Sequence, residues 1–128
     1  MKIEVHGYMN LEVWQDAMKL AKMTYSLIKM LPVEERFALA DQMRRAAVSV
    51  PSNIAEGHSR HNDNEFLQFL RYAQGSRAEL ETQFRICADL GYLESDALKD
   101  VLALSDKTAK GIYKLSLKIA DDIKNSKK

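Results

Sequence analysis

The stretch SVPSNIAEG, residues 49–57, lies within a segment that otherwise has the apolar periodicity of a long helix. Pro51 has no backbone N–H to donate to the preceding turn, and its ring crowds the carbonyl group there. A proline at this position is therefore expected to bend the helix. The neighbouring Ser49, Ser52 and Asn53 carry short polar side chains that can satisfy backbone groups left free by the proline. The stretch thus predicts a kinked helix braced by polar contacts.

Apolar residues recur at three- and four-residue spacing along four segments of the chain, which is the pattern of amphipathic helices. The chain has only two prolines and five glycines among its 128 residues, so it offers few places to break these segments. The predicted helices span residues 10–30, 33–57, 62–90 and 95–124. In the first helix the main apolar stripe is Leu11, Trp14, Met18, Ala21, Tyr25 and Ile28.

The ends of the predicted helices carry capping residues. Gly57 and Gly91 are suited to the left-handed conformation that commonly ends a helix. Phe37 is expected to begin the apolar stripe of the second helix, and Leu90 to end that of the third. The short polar residues that can accept hydrogen bonds from free N–H groups at helix starts are Asn10, Asn62 or Asp63, and Ser95.

Helices of this length, joined by short turns, must lie antiparallel to their neighbours, and stripes near a seven-residue repeat favour shallow crossing angles. The predicted fold class is all-α: an antiparallel up-down-up-down four-helix bundle with a proline-kinked second helix. A chain of 128 residues suits one domain with one core, so residues 1–128 are predicted to form a single domain.

The turn near residue 60 sets which positions of the second and third helices face each other. Ala46 and Ala47 are expected to face Gly75, so that small residues allow a close helix approach. Arg44 and Arg45 are expected within about a turn of Glu79 and Glu81. These relations predict a polar network that braces the kinked hairpin, with Glu65 as a further candidate member. The full predicted structural motif is Arg44, Arg45, Pro51, Asn53, Glu56, Gly57, Gly75, Ser76 and Glu79.

The residues that could carry catalysis or bind a metal do not form a recognised pattern. The chain contains no Glu-x-x-His pair of the di-metal bundles, no phosphate loop and no dinucleotide-binding glycine pattern. His58 and His61 share a turn with Glu56 and Asp63, but one open turn rarely completes a coordination shell. A solvated loop is the favoured interpretation. We therefore expect no catalytic residues, no metal, no cofactor and no enzymatic activity.

The bulk composition is that of an ordinary globular chain. The formal net charge is +1, so no overall field favours nucleic acid or a membrane. The single cysteine, Cys87, excludes an intrachain disulfide framework and is typical of a reducing compartment. No signal-peptide pattern and no apolar run of membrane-spanning length is present. The expected localisation is the cytoplasm, without membrane contact.

Two long motifs resemble those of a known family. Residues 44–57, RRAAVSVPSNIAEG, and residues 71–83, RYAQGSRAELETQ, are similar to the signatures of the 23S ribosomal RNA intervening-sequence proteins of bacteria. Residues 11–14, LEVW, and 90–93, LGYL, also resemble that family. The resemblance implies a small four-helix bundle of unestablished molecular role that assembles into ring-like homopentamers. A relative, the accessory protein of diversity-generating retroelements, is a basic pentameric barrel that works with a reverse transcriptase and nucleic acid.

Additional apolar residues beside the main stripes favour self-association. Val13, Leu20 and Leu27 recur every seven residues along the first helix and predict a second buried face. The alternative is a wide core stripe within a monomer. Further apolar residues in excess of a narrow seam are Leu67, Leu104, Leu115 and Leu117.

Basic residues form a stripe on one face of the fourth helix. Such stripes are usually solvated, but a symmetric ring would repeat the stripe around its axis and could attract phosphates. The leading prediction is a non-catalytic, self-assembling scaffold or interaction module, with itself as partner. The alternative is a nucleic-acid-binding accessory protein that contacts RNA or DNA weakly and non-specifically through a basic rim. The residues of that stripe are Lys107, Lys110, Lys114 and Lys118.

Overall fold

A computed structural model of the chain describes residues 7–127, and within them every regular element is helical. Four α-helices account for most of this length, and the predicted all-α class is confirmed. Residues 1–6 and Lys128, which the predicted domain includes, lie outside the described residues. The helices are α1 (Glu12–Ile28), α2 (Leu39–Ser59), α3 (Asp63–Asp89) and α4 (Ser95–Ser126).

Two short 3-10 turns account for the main differences from the predicted helix bounds. One covers Gly7–Asn10, so Asn10 does not cap α1, whose N-cap is Leu11 without a side-chain hydrogen bond. The other covers Val33–Glu35, so α2 starts six residues later than predicted. Pro32 precedes this second turn and has an extended backbone, so α1 cannot continue directly into the next helix.

The predicted ends of α2 and α3 have mixed outcomes. Asn62 caps α3, since its side chain accepts a hydrogen bond from the Glu65 N–H at 3.0 Å. Gly91 has a φ of 74° and follows the end of α3, as predicted. Gly57 does not end α2, which continues to Ser59. The left-handed residue beyond α2 is His61, with a φ of 53°.

Each helix packs against its neighbours along the chain, and α1 also packs against α4, which closes the bundle. The contacts reverse in order along α2 and α3, as expected of antiparallel neighbours: Met43 lies near Cys87, and Ser49 lies near Ser76. Helix α2 continues through the buried Pro51 without interruption. The bend at Pro51 stays a prediction.

The core consists of two clusters, one in each half of the bundle. The predicted burial is wrong at several positions of the apolar stripes. Val13, Leu20 and Leu27, predicted to form a second face, are core residues, whereas Tyr25 of the predicted main stripe is exposed. The apolar stripe of α1 is therefore rotated toward the residues spaced by seven. The buried members are Leu20, Leu27, Ile28, Leu31, Ala40, Met43, Ala46, Ala47, Leu80, Phe84, Cys87, Leu93, Leu98 and Val101 in one cluster, and Val13, Ala17, Val50, Ile54, Phe66, Leu70, Ala73, Ile112 and Ile119 in the other.

Two other residues expected on core stripes are exposed. Phe37 is 87% exposed because it lies in the connection before α2, where helical periodicity does not apply. Leu90 is exposed because it is the C-cap of α3, beyond the last helical residue. Leu67, Leu104 and Leu115, in contrast, pack against the core clusters. The sequence argument for a second apolar face therefore fails at most of the positions on which it was based.

Buried polar side chains link helices inside the bundle. Arg77 of α3 is buried, and its guanidinium donates to Glu81 at 2.9 Å and to Ser105 of α4 at 3.0 Å. Removing one partner of such a buried pair leaves an uncompensated charge, so this link restrains how α4 is placed against α3. Burial raises the pKa of the Cys87 thiol to about 11, with a smaller contribution from Glu35. The thiol is therefore an inert core group at neutral pH.

No helix among the described residues is long and apolar enough to span a bilayer.

Gly57 and Gly75 have opposite surroundings. A Cβ atom at Gly57 would lie 2.6 Å from Phe69 Cβ, which is closer than real Cβ contacts, so α2 and α3 can approach only because this residue is glycine. A Cβ at Gly75 would have no neighbour within 4 Å, so the predicted close approach at that position is wrong. The close contact of the hairpin lies nearer the turn than the sequence register predicts.

Replacing Gly57 by Ala is expected to lower the free energy of unfolding by roughly 1–3 kcal/mol, because the new methyl group overlaps Phe69. The matched Gly75→Ala variant is expected to raise it by about 0.5–1 kcal/mol, since glycine is unfavourable inside an exposed helix. Urea denaturation of both variants measures the difference. Equal effects of the two substitutions would contradict the close approach at Gly57.

Candidate functional site

A small polar cluster joins α2 to α3 at the predicted motif. Asn53 donates from Nδ2 to the carbonyl oxygen and to Oγ of Ser49, both at 2.8 Å. Ser49 Oγ lies 2.8 Å from Ser76 Oγ, which makes the hydrogen bond between the two helices. Asn53, Ser49 and Ser76 are all half-buried. This cluster is the part of the predicted network that the structure brings together.

The charged members of the predicted network lie elsewhere. Arg44 and Arg45 both pair with Asp41 on their own helix, at 3.6 and 3.3 Å, rather than with Glu79. Glu79 is exposed and accepts a hydrogen bond from Gln83, one turn later on α3. These bonds are local because residues three or four positions apart on a helix are neighbours.

The second predicted charged group forms a small bridge at the turn. Arg60 pairs with Glu56 at 3.0 Å and lies 3.9 Å from Glu65. Glu56 and Glu65 are therefore connected through Arg60, which the sequence analysis did not include. All three side chains are partly solvated, so the bridge contributes little to stability.

His58 is a packing residue in the cluster of rings beneath the turn. Its ring makes edge contacts with Tyr8, Phe66 and His61, with centroid separations of 6.3, 5.7 and 6.4 Å. Gly7 lies directly against this ring. Between residues 7 and 127, no group of three or more His, Cys, Asp or Glu side chains is placed to hold a metal ion.

A groove of about 590 Å³ lies between α1 and α4, and we call it the α1–α4 groove. It contains all four lysines of the predicted basic stripe, which form one wall along α4. The opposite wall, on α1, carries Glu12 and Asp16. The apolar floor consists of Leu11, Val13, Gly111 and Leu115. The lysine wall is Lys107, Lys110, Lys114 and Lys118.

The charges along the groove are unevenly compensated. Lys107 lies 3.4 Å from the buried Asp16 and 3.7 Å from Glu12, so it links α4 to α1. Lys110 pairs with Asp106 on its own helix at 3.1 Å. Lys114 and Lys118 are exposed and have no carboxylate within 4.0 Å among the described residues. The groove is therefore nearly neutral at one end and positive at the other.

The floor of the groove depends on a residue that the sequence analysis missed. A Cβ at Gly111 would lie 2.9 Å from Val13 Cγ2, so glycine allows α4 to approach α1 at this point. A glycine in the interior of a helix is unfavourable, and that cost is the signal that could have found Gly111. Asp16 was also missed. The signal that could have found it is a carboxylate within an apolar stripe, which indicates a buried ion pair.

Comparison with known proteins identifies the family. The model of the family described as 23S rRNA-intervening sequence protein matches residues 9–114. The chain belongs to this family. A solved structure of a protein of unknown function from the S23 ribosomal protein family of Bacteroides thetaiotaomicron is similar, with a TM-score of 0.75 and 20% sequence identity. The alignment covers 81% of this chain and 94% of that chain, and at this identity it shows the fold alone. No curated protein matches the chain.

The family match covers the two candidate regions of this intervening-sequence protein unequally. The polar cluster of Ser49, Asn53 and Ser76 lies wholly within residues 9–114. The α1–α4 groove lies only partly within it, because Leu115 and Lys118 follow the matched region. The positive end of the groove is therefore built largely by the part of α4 where the family match ends.

Replacing Asn53 by Leu is expected to lower the free energy of unfolding by about 1–2 kcal/mol, because both hydrogen bonds to Ser49 are lost. Ser52→Ala is the matched control, since Ser52 is exposed on the same turn of α2, and its effect should stay within about 0.5 kcal/mol. Urea denaturation provides the measurement. An unchanged midpoint for Asn53→Leu would show that the cluster does not brace the hairpin.

Proposed function

We propose that this intervening-sequence family protein is a non-catalytic interaction or scaffold module that assembles with copies of itself into a homopentamer. Self-assembly is supported by the exposed apolar side chains of the connection between α1 and α2. Three large apolar side chains there face solvent: Met30 is 63% exposed, Val33 75% and Phe37 87%. Exposed apolar side chains concentrated in one short segment are typical of a protein interface.

The surroundings of the reactive side chains support a non-catalytic role. Ser49 and Ser76 hydrogen-bond to each other, and no histidine of residues 7–127 is among their partners. His58 is packed among aromatic rings, and the raised pKa of Cys87 keeps its thiol protonated at neutral pH. A nucleophile normally needs an adjacent base or a lowered pKa. A buried, reduced cysteine is also in keeping with the proposed cytoplasmic localisation.

A second candidate function is weak, non-specific binding of RNA or DNA. The observation that favours it is the row of four lysines on one exposed face of α4, two of which have no acidic partner among residues 7–127. Repeated around a pentamer, this row would form a basic rim that attracts phosphates. The bases would not be read, since such a rim provides only electrostatic contacts.

Self-assembly is tested by light scattering at micromolar concentration. The expected particle contains five copies of the 14.6 kDa chain. The double variant Val33→Ser/Phe37→Ser is expected to reduce the mass, whereas Tyr113→Ser/Leu117→Ser, which removes two exposed apolar residues of α4, is expected to retain it. A 14.6 kDa particle for the unmodified chain overturns the proposal.

Nucleic-acid binding is tested by titrating random-sequence RNA and DNA while salt is varied between about 50 and 200 mM. If the lysine row contacts phosphates, affinity falls steeply as salt rises because counterions are released on binding. Replacing Lys114 and Lys118 by Glu should weaken RNA and DNA binding at every salt concentration. Affinity that is independent of salt, or no affinity at the lowest salt, removes this candidate.

A further inference from the structure

The α1–α4 groove combines an apolar floor with a basic wall, and a phosphate backbone would contact only the basic wall. Its floor is apolar and continuous from α1 to α4, and its wall on α4 is a row of lysines. A partner that filled the groove would have to present apolar side chains to the floor and anionic groups to the wall. Nucleic-acid backbones supply only the second of these.

The charge distribution defines where the anionic groups would lie. Glu12 and Asp16 already pair with Lys107, so that end of the groove needs no external anion. Lys114 and Lys118, at the other end, have no acidic partner among the described residues. An acidic partner is therefore attracted at the Lys114–Lys118 end, whereas the nearly neutral end, where Lys107 is already paired, offers no comparable attraction.

The shape of the groove fits a helix. The lysines recur at three- and four-residue spacing, and the first and last are eleven positions apart, which corresponds to about 17 Å, or three helical turns. Carboxylates at the same spacing on a helix laid along α4 would face them in register. The lysine side chains are largely exposed, so the groove is an open channel between two helices rather than an enclosed cavity for a small molecule.

We propose that the α1–α4 groove binds an acidic amphipathic helix of a partner protein, with its apolar side chains on Leu11 and Leu115 and its carboxylates against Lys114 and Lys118. This inference rests on the proposed role as an interaction module and names the class of partner.

Two helix faces of a second copy, on α1 and α2, fit the groove less well. The exposed apolar residues of α1 and α2 are flanked by basic side chains: Tyr25 by Lys22 and Lys29, and Val48 by Arg44 and Arg45. Those helix faces of a second copy would be repelled by the lysine wall.

The probe is a fluorescein-labelled, alanine-based helical peptide of about 18 residues, long enough for the three turns of the groove. It carries leucines on one face and a row of glutamates beside them, and binding to the full chain is followed by fluorescence anisotropy. Replacing the leucines by Gln should weaken binding at least tenfold with the charges unchanged. Replacing the glutamates by Lys should abolish binding.

The groove is tested with a charge-matched pair of protein variants. Lys114→Glu/Lys118→Glu should weaken peptide binding at least tenfold. Lys22→Glu/Lys99→Glu changes two exposed lysines that do not line the groove, has the same net charge, and should leave affinity within twofold. Thermal denaturation of both variants verifies that they are folded.

Four outcomes overturn the proposal. Equal loss of binding in both double variants would mean attraction by overall charge alone. Binding of random RNA at these lysines, without binding of the leucine–glutamate peptide, would favour the nucleic-acid candidate. A change of particle mass in Lys114→Glu/Lys118→Glu would place a second copy in the groove. If the peptide fails to bind while the chain still self-assembles, the inference falls and the proposed module role stands.

Discussion

The close approach of α2 to α3 at Gly57 is the constraint on which the arrangement of the bundle depends. Only a residue without a Cβ can lie against Phe69 at this distance, so the two helices meet where that glycine is. The hydrogen bond between Ser49 and Ser76, about two turns before Gly57 on α2, then sets the relative position of the two helices along their axes. Together these contacts align the apolar stripes of both helices toward the same core.

On the opposite side of the bundle, a glycine and a polar contact also hold two helices against each other. Gly111 allows α4 to approach Val13 of α1, and the ion pair between Lys107 and the buried Asp16 lies one turn away. A buried carboxylate is costly without a partner, so this pair discriminates against other placements of α4. The same contact forms the floor of the α1–α4 groove. The groove proposed as an interaction surface is therefore a direct consequence of how the fourth helix is held.

How much could be predicted from the sequence differs between elements. Four helices, the Asn62 cap and the Gly91 stop follow from periodicity and local chemistry, which act within a few residues. The predicted polar network between Glu79 and the arginines Arg44 and Arg45 does not form, because a local partner, Asp41, is available on the same helix. The four lysines were predicted to share a face of α4, but the apolar floor beside them was not, since it belongs to another helix.

The amino-acid sequence by itself determined the class of fold and the number of helices, because these depend on spacing along one chain, and its motifs carried the resemblance to the family. Only the tertiary structure decided which apolar stripe of α1 enters the core, which glycines are close-packed and which are exposed, and which charges face each other across helices. The physical reason is that an amphipathic helix with two adjacent apolar stripes can bury either of them. The choice is made by the shape and charge of the neighbouring helices.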